Sequence, residues 1–161
     1  MRLAKWIISP VVVLWISCGS SPSSGAPTSK SLRATCWTKP IPDSPEYRKT
    51  NPCRIHGDFD GDGREDVVEQ VAETRGKKRR GVRVTFATGR VSLLGAGVTI
   101  GNGGDDFDWM DAWRVMSPDE WKEIWQAPRP AGDVLLVESY GNASGLIGWV
   151  EGQPRWEQGD D

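Results

Sequence analysis

The chain has 161 residues, 37% of them apolar and 26% charged, a balance that fits one soluble globular domain and excludes a disordered or membrane-spanning protein. Its formal charge of -2 becomes about -4 once a cleaved leader removes Arg2 and Lys5, which excludes general affinity for nucleic acid. With 19 Gly and 11 Pro, loops are abundant and one modest core is all the chain can hold.

Residues 1–17 read as a signal peptide: Arg2 and Lys5 precede an apolar run from Trp6 to Ser17, too short for the roughly 20 residues that cross a bilayer. Leu14-Trp15-Ile16-Ser17-Cys18 resembles a bacterial lipobox, which implies lipid attachment at Cys18 and membrane contact through that lipid only. Trp15 stands where the pattern has an aliphatic residue, and cleavage after Ala26 with release of a free secreted protein is the alternative. Residues 18–32, rich in Ser, Gly and Pro, read as a flexible tether ahead of a single domain at 33–161.

Two further cysteines, Cys36 and Cys53, form an even pair in an exported chain and are expected to bridge. The bridge closes a Pro-rich loop of about 18 residues, worth roughly 3 kcal/mol by chain entropy. With His56 as the lone histidine, a zinc site lacks ligands.

Next comes Asp58-Phe-Asp60-Gly-Asp62-Gly63-Arg64-Glu-Asp66, with carboxylates at positions 1, 3, 5 and 9 and glycines at 4 and 6. Each close carboxylate pair repels by about 1 kcal/mol even in water-like surroundings. A hard dication that accepts 6 to 8 oxygen ligands in irregular geometry answers that repulsion, and Ca²⁺ suits it better than Mg²⁺. Asp58, Asp60, Asp62 and Asp66 offer side chains, and Arg64 offers its backbone carbonyl at position 7.

With Glu69 at position 12 the stretch also satisfies the EF-hand pattern. The upstream segment Asn51 to Gly57 carries Pro52 and Gly57 and makes a poor helix, and Glu65 occupies a position that is usually aliphatic. Downstream, Val67, Val68, Val71 and Ala72 suit a helical face or a strand, and periodicity leaves the two open. The stretch from Gly57 to Glu69 resembles the FG-GAP or VCBS repeat of integrin-like proteins. That resemblance implies a loop between two strands that binds calcium through Asp58, Asp60, Asp62, the Arg64 carbonyl and Asp66. It covers under a tenth of the chain, no second copy appears, and about 125 residues cannot build the propeller such repeats normally tile.

Arg75, Lys77, Lys78, Arg79, Arg80 and Arg83 form a basic cluster, read as a solvated hairpin tip with an anion-binding patch as the alternative. Gly81 to Ala87 and Arg90 to Leu94 read as a hairpin. Trp109 to Val115 is expected to be a strand with Trp109, Asp111, Trp113 and Val115 on one face. Ser117, Pro118 and Glu120 signal the start of a short helix at about 117–127 that presents Trp121, Ile124 and Trp125. Gly132 to Glu138, Gly145 to Val150 and Arg155 to Glu157 add strands. The fold class is a mainly antiparallel β domain of six or seven strands with one short helix. The seven tryptophans beyond the leader are expected to fill its core, an exposed aromatic face being the alternative. A second acidic group, Asp105, Asp106, Asp108 and Asp111, reads as a solvated turn or as a further metal site.

No nucleophile stands with a base and an orienter, so the chain is read as a non-enzyme. The glycine-rich stretches Gly95-Ala-Gly97 and Gly101-Asn-Gly-Gly104 lack the lysine of a phosphate loop. The function expected is an exported calcium-binding module with a structural role or one of binding an unidentified protein or glycan. A carbohydrate-directed lectin or hydrolase, using surface Trp and the acidic group 105–111, is the alternative.

Overall fold

A computed structural model describes residues 32–37, 52–140 and 142–159. The leader, Cys18, the tether and most of the Pro-rich segment lie outside them.

Alternation of apolar and polar residues produces two antiparallel sheets. The first holds β1 (Leu32–Ala34), β2 (Arg54–Gly57), β3 (Asp66–Glu73), β4 (Arg80–Thr85) and β5 (Val91–Gly95). The second holds β6 (Ala112–Met116), β7 (Val134–Ser139), β8 (Ala143–Val150) and β9 (Gln153–Gln158) in sequential order. The mainly β expectation is met, with nine strands among the described residues in place of six or seven. The additions are β1 and β2, short pieces that lie end to end along one edge of β3, pairing with Val71–Glu73 and Asp66–Glu69 respectively. In the gap between them the Gln70 N–H donates to the Cys53 carbonyl at 3.4 Å and the Gln70 carbonyl accepts the Thr35 N–H at 3.0 Å. The expected Cys36–Cys53 disulfide closes this gap, with Cα atoms 5.0 Å apart. Such a bridge belongs to an oxidising compartment outside the cytoplasm. Among the described residues no helix is long and apolar enough to cross a membrane.

The helix-or-strand ambiguity at 67–72 resolves as strand because β3 is central, flanked by β1 and β2 on one edge and by β4 on the other. The β4–β5 hairpin forms as read, closed by Phe86 N–H to the Arg90 carbonyl at 2.9 Å. Glu151 and Gly152, both at positive φ, turn β8 into β9, and Pro154 is tolerated because β9 is an edge strand.

Two expectations need correction. The strand expected from Trp109 starts only at Ala112: Trp109 lies in the preceding turn, where its indole N–H donates to the Gly103 carbonyl at 3.1 Å. The helix is α1, Pro118–Trp121, rather than 117–127. Its capping box is present, Glu120 accepting the Ser117 N–H at 2.8 Å. The chain leaves the α pattern after Trp121: the Ile124 N–H donates to the Trp121 carbonyl, three residues back, at 2.9 Å, and the Trp121 and Trp125 indoles donate to the carbonyls of Gly132 (3.2 Å) and Pro128 (3.0 Å). Ile124, expected on the same face, is left 42% exposed.

The facing sheets share one core: Val68, Val82, Val84 and Leu94 from the first, Trp113, Leu135, Val137, Ile147 and Trp149 from the second. The β5–β6 connection adds Ile100, Phe107 and Met110. A smaller cluster of Trp121 and Trp125 with Met116, Val134 and Leu146 covers the opposite face of the second sheet. Tryptophan therefore serves the core, as expected. Trp156, partly buried, lies on Gly101, Gly103 and Gly145. A Cβ at Gly101, Gly103 or Gly145 would come within 2.6 Å, 2.6 Å and 2.0 Å of its side chain, distances that no side chain tolerates.

Candidate metal centre

The acidic loop is the connection between β2 and β3, and Asp66 is the first residue of β3, paired with Gly57 at the end of β2. Gly61 and Gly63 take positive φ of 73° and 80°, the left-handed backbone that lets the chain turn back between alternate aspartates. At Gly61 a side chain is excluded for a second reason: a Cβ there would lie 2.4 Å from the Ala131 carbonyl oxygen.

Carboxylate oxygens of Asp58, Asp60 and Asp66 lie within 4.8 Å of one another and could hold a metal ion. Backbone donors organise them. Asp58 accepts the N–H of Asp62 (3.1 Å) and of Gly63 (2.9 Å). Asp66 accepts the N–H of Phe59 and of Ala87, both at 2.9 Å. Asp66 is fully buried, and that desolvation pushes its pKa above the ordinary 3.8, against the hydrogen bonds from Ala87 and Phe59 that pull it down. Asp60 is the least satisfied member. Its Oδ1 is buried without a hydrogen-bond partner, and its Oδ2 lies 3.4 Å from Nη2 of Arg90. Such an oxygen is uncommon in folded proteins and calls for a donor or a cation.

The other members of the expected set sit differently. Asp62 is exposed, outside the group of three, and its Oδ1 accepts the Arg64 N–H at 2.9 Å. Arg64 is exposed and sends Nη2 to the Ala87 carbonyl at 3.1 Å. Glu69, twelfth in the EF-hand pattern, lies on β3 and pairs with Arg83 at 2.8 Å and Arg54 at 3.5 Å. Strands, not helices, flank the loop.

Sequence reasoning missed Asp133, just ahead of β7. Its Oδ2 accepts the Asp58 N–H at 2.9 Å, while its own N–H donates to the Asp58 carbonyl at 2.7 Å. The neighbouring Gly132 packs so close to the Asp58 carbonyl that a Cβ would fall 2.0 Å from it. The loop is thus the joint between the two sheets. Only Gly132 hinted at this, since nothing local marks an aspartate whose partner is 75 positions away.

The second acidic group and the basic cluster explain each other. Asp105 pairs with Arg79 at 2.6 Å, and Asp108 pairs with Arg80. Asp106 accepts the Arg80 N–H at 2.9 Å and the Asp108 N–H at 3.1 Å. Asp111 accepts the Tyr140 N–H at 3.2 Å. Glu73 is held below its ordinary 4.5 by the Arg79 side chain, with which it forms hydrogen bonds as short as 2.8 Å. Arg79, Arg80 and Arg83 are therefore partnered within the fold, while Arg75, Lys77 and Lys78 form the exposed tip of the β3–β4 hairpin, as read. His56 contacts Glu65 at 2.9 Å on the surface.

These features define a small two-sheet β protein with an acidic, backbone-organised loop at its joint. Compared with protein-family models, curated proteins and solved structures, the chain matches none.

Proposed function

We propose that this chain is an exported calcium-binding module in which Ca²⁺, held by the 58–66 loop, fastens one sheet to the other. The observation that carries the reading is the convergence of Asp58, Asp60 and the fully buried Asp66, with Asp60 Oδ1 lacking any hydrogen-bond partner. All three groups are hard carboxylate oxygens, which favour a hard cation, and the irregular arrangement of a loop suits Ca²⁺ better than octahedral Mg²⁺. Asp62 and the Arg64 carbonyl are the ligands proposed to complete the shell from the solvent side. The resemblance of residues 57–69 to an FG-GAP or VCBS loop supports the same assignment, and Cys18 supplies the proposed lipid anchor.

A dication that binds only the folded loop stabilises the whole fold by mass action. Affinities of about 0.1 to 1 mM are usual for extracellular calcium sites, so occupancy is permanent rather than signalled. The test is thermal unfolding after chelation and again after adding Ca²⁺ or Mg²⁺. Ca²⁺ should raise the melting temperature more than Mg²⁺, and Asp60→Ala should abolish the rise. Equal melting of stripped and Ca²⁺-loaded protein would falsify the reading. The carbohydrate-directed alternative draws no support from the tryptophans, because the large hydrophobics exposed among the described residues are Val91 and Ile124.

A further inference from the structure

Arg90 differs from Arg79 and Arg83 in how it meets its carboxylate. Arg79 and Arg83 hold carboxylates at 2.6 to 2.8 Å, whereas Arg90 reaches Asp60 at only 3.4 Å. Its firmer contacts lie elsewhere. Nη1 donates to the Gly152 carbonyl of the β8–β9 turn at 2.7 Å, and the guanidinium carbon stands 3.7 Å from the centroid of the Phe86 ring. A planar guanidinium suits both contacts, one as a donor and the other as a cation over a π face. The charge is therefore fixed at the rim of the acidic loop by groups that are not candidate ligands.

We propose that Arg90 is a built-in competitor for the dication at Asp60, setting the affinity of the loop well below what its carboxylates alone would give. The inference rests on the calcium reading above. Two effects act in the same direction. An ion entering among Asp58, Asp60 and Asp66 meets a like charge nearby, and Asp60 Oδ2 must give up its contact with Nη2 to turn fully toward the ion. By linkage, whatever the ion gains by displacing that contact is reduced by the strength of the contact itself. The carbonyl of Gly152 and the Phe86 ring keep Arg90 in place in both states, so it does not swing clear when the ion arrives.

The measurement is calorimetric titration of the folded protein with CaCl₂, in the wild type, Arg90→Gln and Arg90→Lys, with melting in chelator as the check on folding. Arg90→Gln should bind Ca²⁺ about three- to tenfold more tightly, the range expected for removing a half-exposed ion pair and its charge. Arg90→Lys, which keeps the charge, should stay close to the wild type. An Arg90→Gln affinity that is unchanged or weaker overturns the proposal, since a residue that merely positions Asp60 would weaken binding when lost. Should Arg90→Gln fail to fold, the Nε–Hε resonance of Arg90 in ¹⁵N-labelled wild type decides: it should move as Ca²⁺ is added, and a stationary resonance overturns the proposal. Absence of Ca²⁺ binding in the wild type and both variants removes the calcium reading itself. Wild-type binding with no tightening in Arg90→Gln removes only the role of Arg90.

Discussion

Residues 58–66 and 105–111 contain the same raw material, four aspartates beside glycines, yet the fold uses them in opposite ways. In the first stretch the spacing is 1, 3, 5, 9, and three carboxylates converge, Asp58 and Asp66 held by backbone N–H groups. In the second the spacing is 1, 2, 4, 7, and the carboxylates are dispersed onto Arg79, Arg80 and the backbone of neighbouring segments. The density of acid in a sequence therefore does not define a cation site. What separates the two is whether the carboxylates converge on one point or are dispersed onto separate partners.

The contrast should be widest for the buried member of the first stretch. Asp66→Ala leaves the N–H groups of Phe59 and Ala87 without an acceptor and should cost about 3 kcal/mol in chemical denaturation; a loss under about 1 kcal/mol would mean that the loop is not organised by these bonds. Next in size, Ca²⁺ at about one hundred times its Kd should add roughly 2.7 kcal/mol to the wild type. It should add the same to Asp106→Ala and nothing to Asp60→Ala. If Asp106→Ala also lost the response, the two acidic stretches would not be independent.

A smaller effect is expected from Arg79→Met, read as a change in the pH profile of melting. Arg79 holds the Glu73 carboxyl below 4.5. The stability contributed by Glu73 is therefore complete above that pH and is lost as pH falls through its lower folded value. The variant should flatten this acid limb and leave Ca²⁺ binding unchanged. Least of all, Asp108→Asn, whose exposed carboxylate makes a surface pair with Arg80, should shift stability by no more than about 0.5 kcal/mol.

Much of this arrangement was legible in the sequence where the signal is local. Ala87 to Arg90 and Glu151-Gly152 mark their turns, Ser117 and Glu120 mark a helix start, and the alternation at 58–66 marks the loop. What was not legible is non-local. The strands β1 and β2 are three and four residues long, too short to carry a period, and both exist because β3 offers them an edge. The helix ends at Trp121, where the backbone tightens to a three-residue bond at Ile124, and the Trp121 indole finds a carbonyl as far on as Gly132. Gly101 and Gly103 read as empty loop until Trp156, more than fifty positions on, is seen lying against them. Phe107 and Met110 are hidden among aspartates in the sequence, yet both are fully buried in the shared core.

The end-to-end placement of β1 and β2 on one edge of β3 has a mechanical consequence. Tension applied upstream of Leu32 could peel the three pairs that join β1 to Val71–Glu73 and the Thr35–Gln70 bond before it reached Cys36. There the sulfur bridge would pass the load straight to Cys53 and so into β2, bypassing the stretch of chain between the two cysteines. A protein hung by its amino-terminal side would thus bear its weight through a covalent shortcut that leads to the strand running directly into the acidic loop.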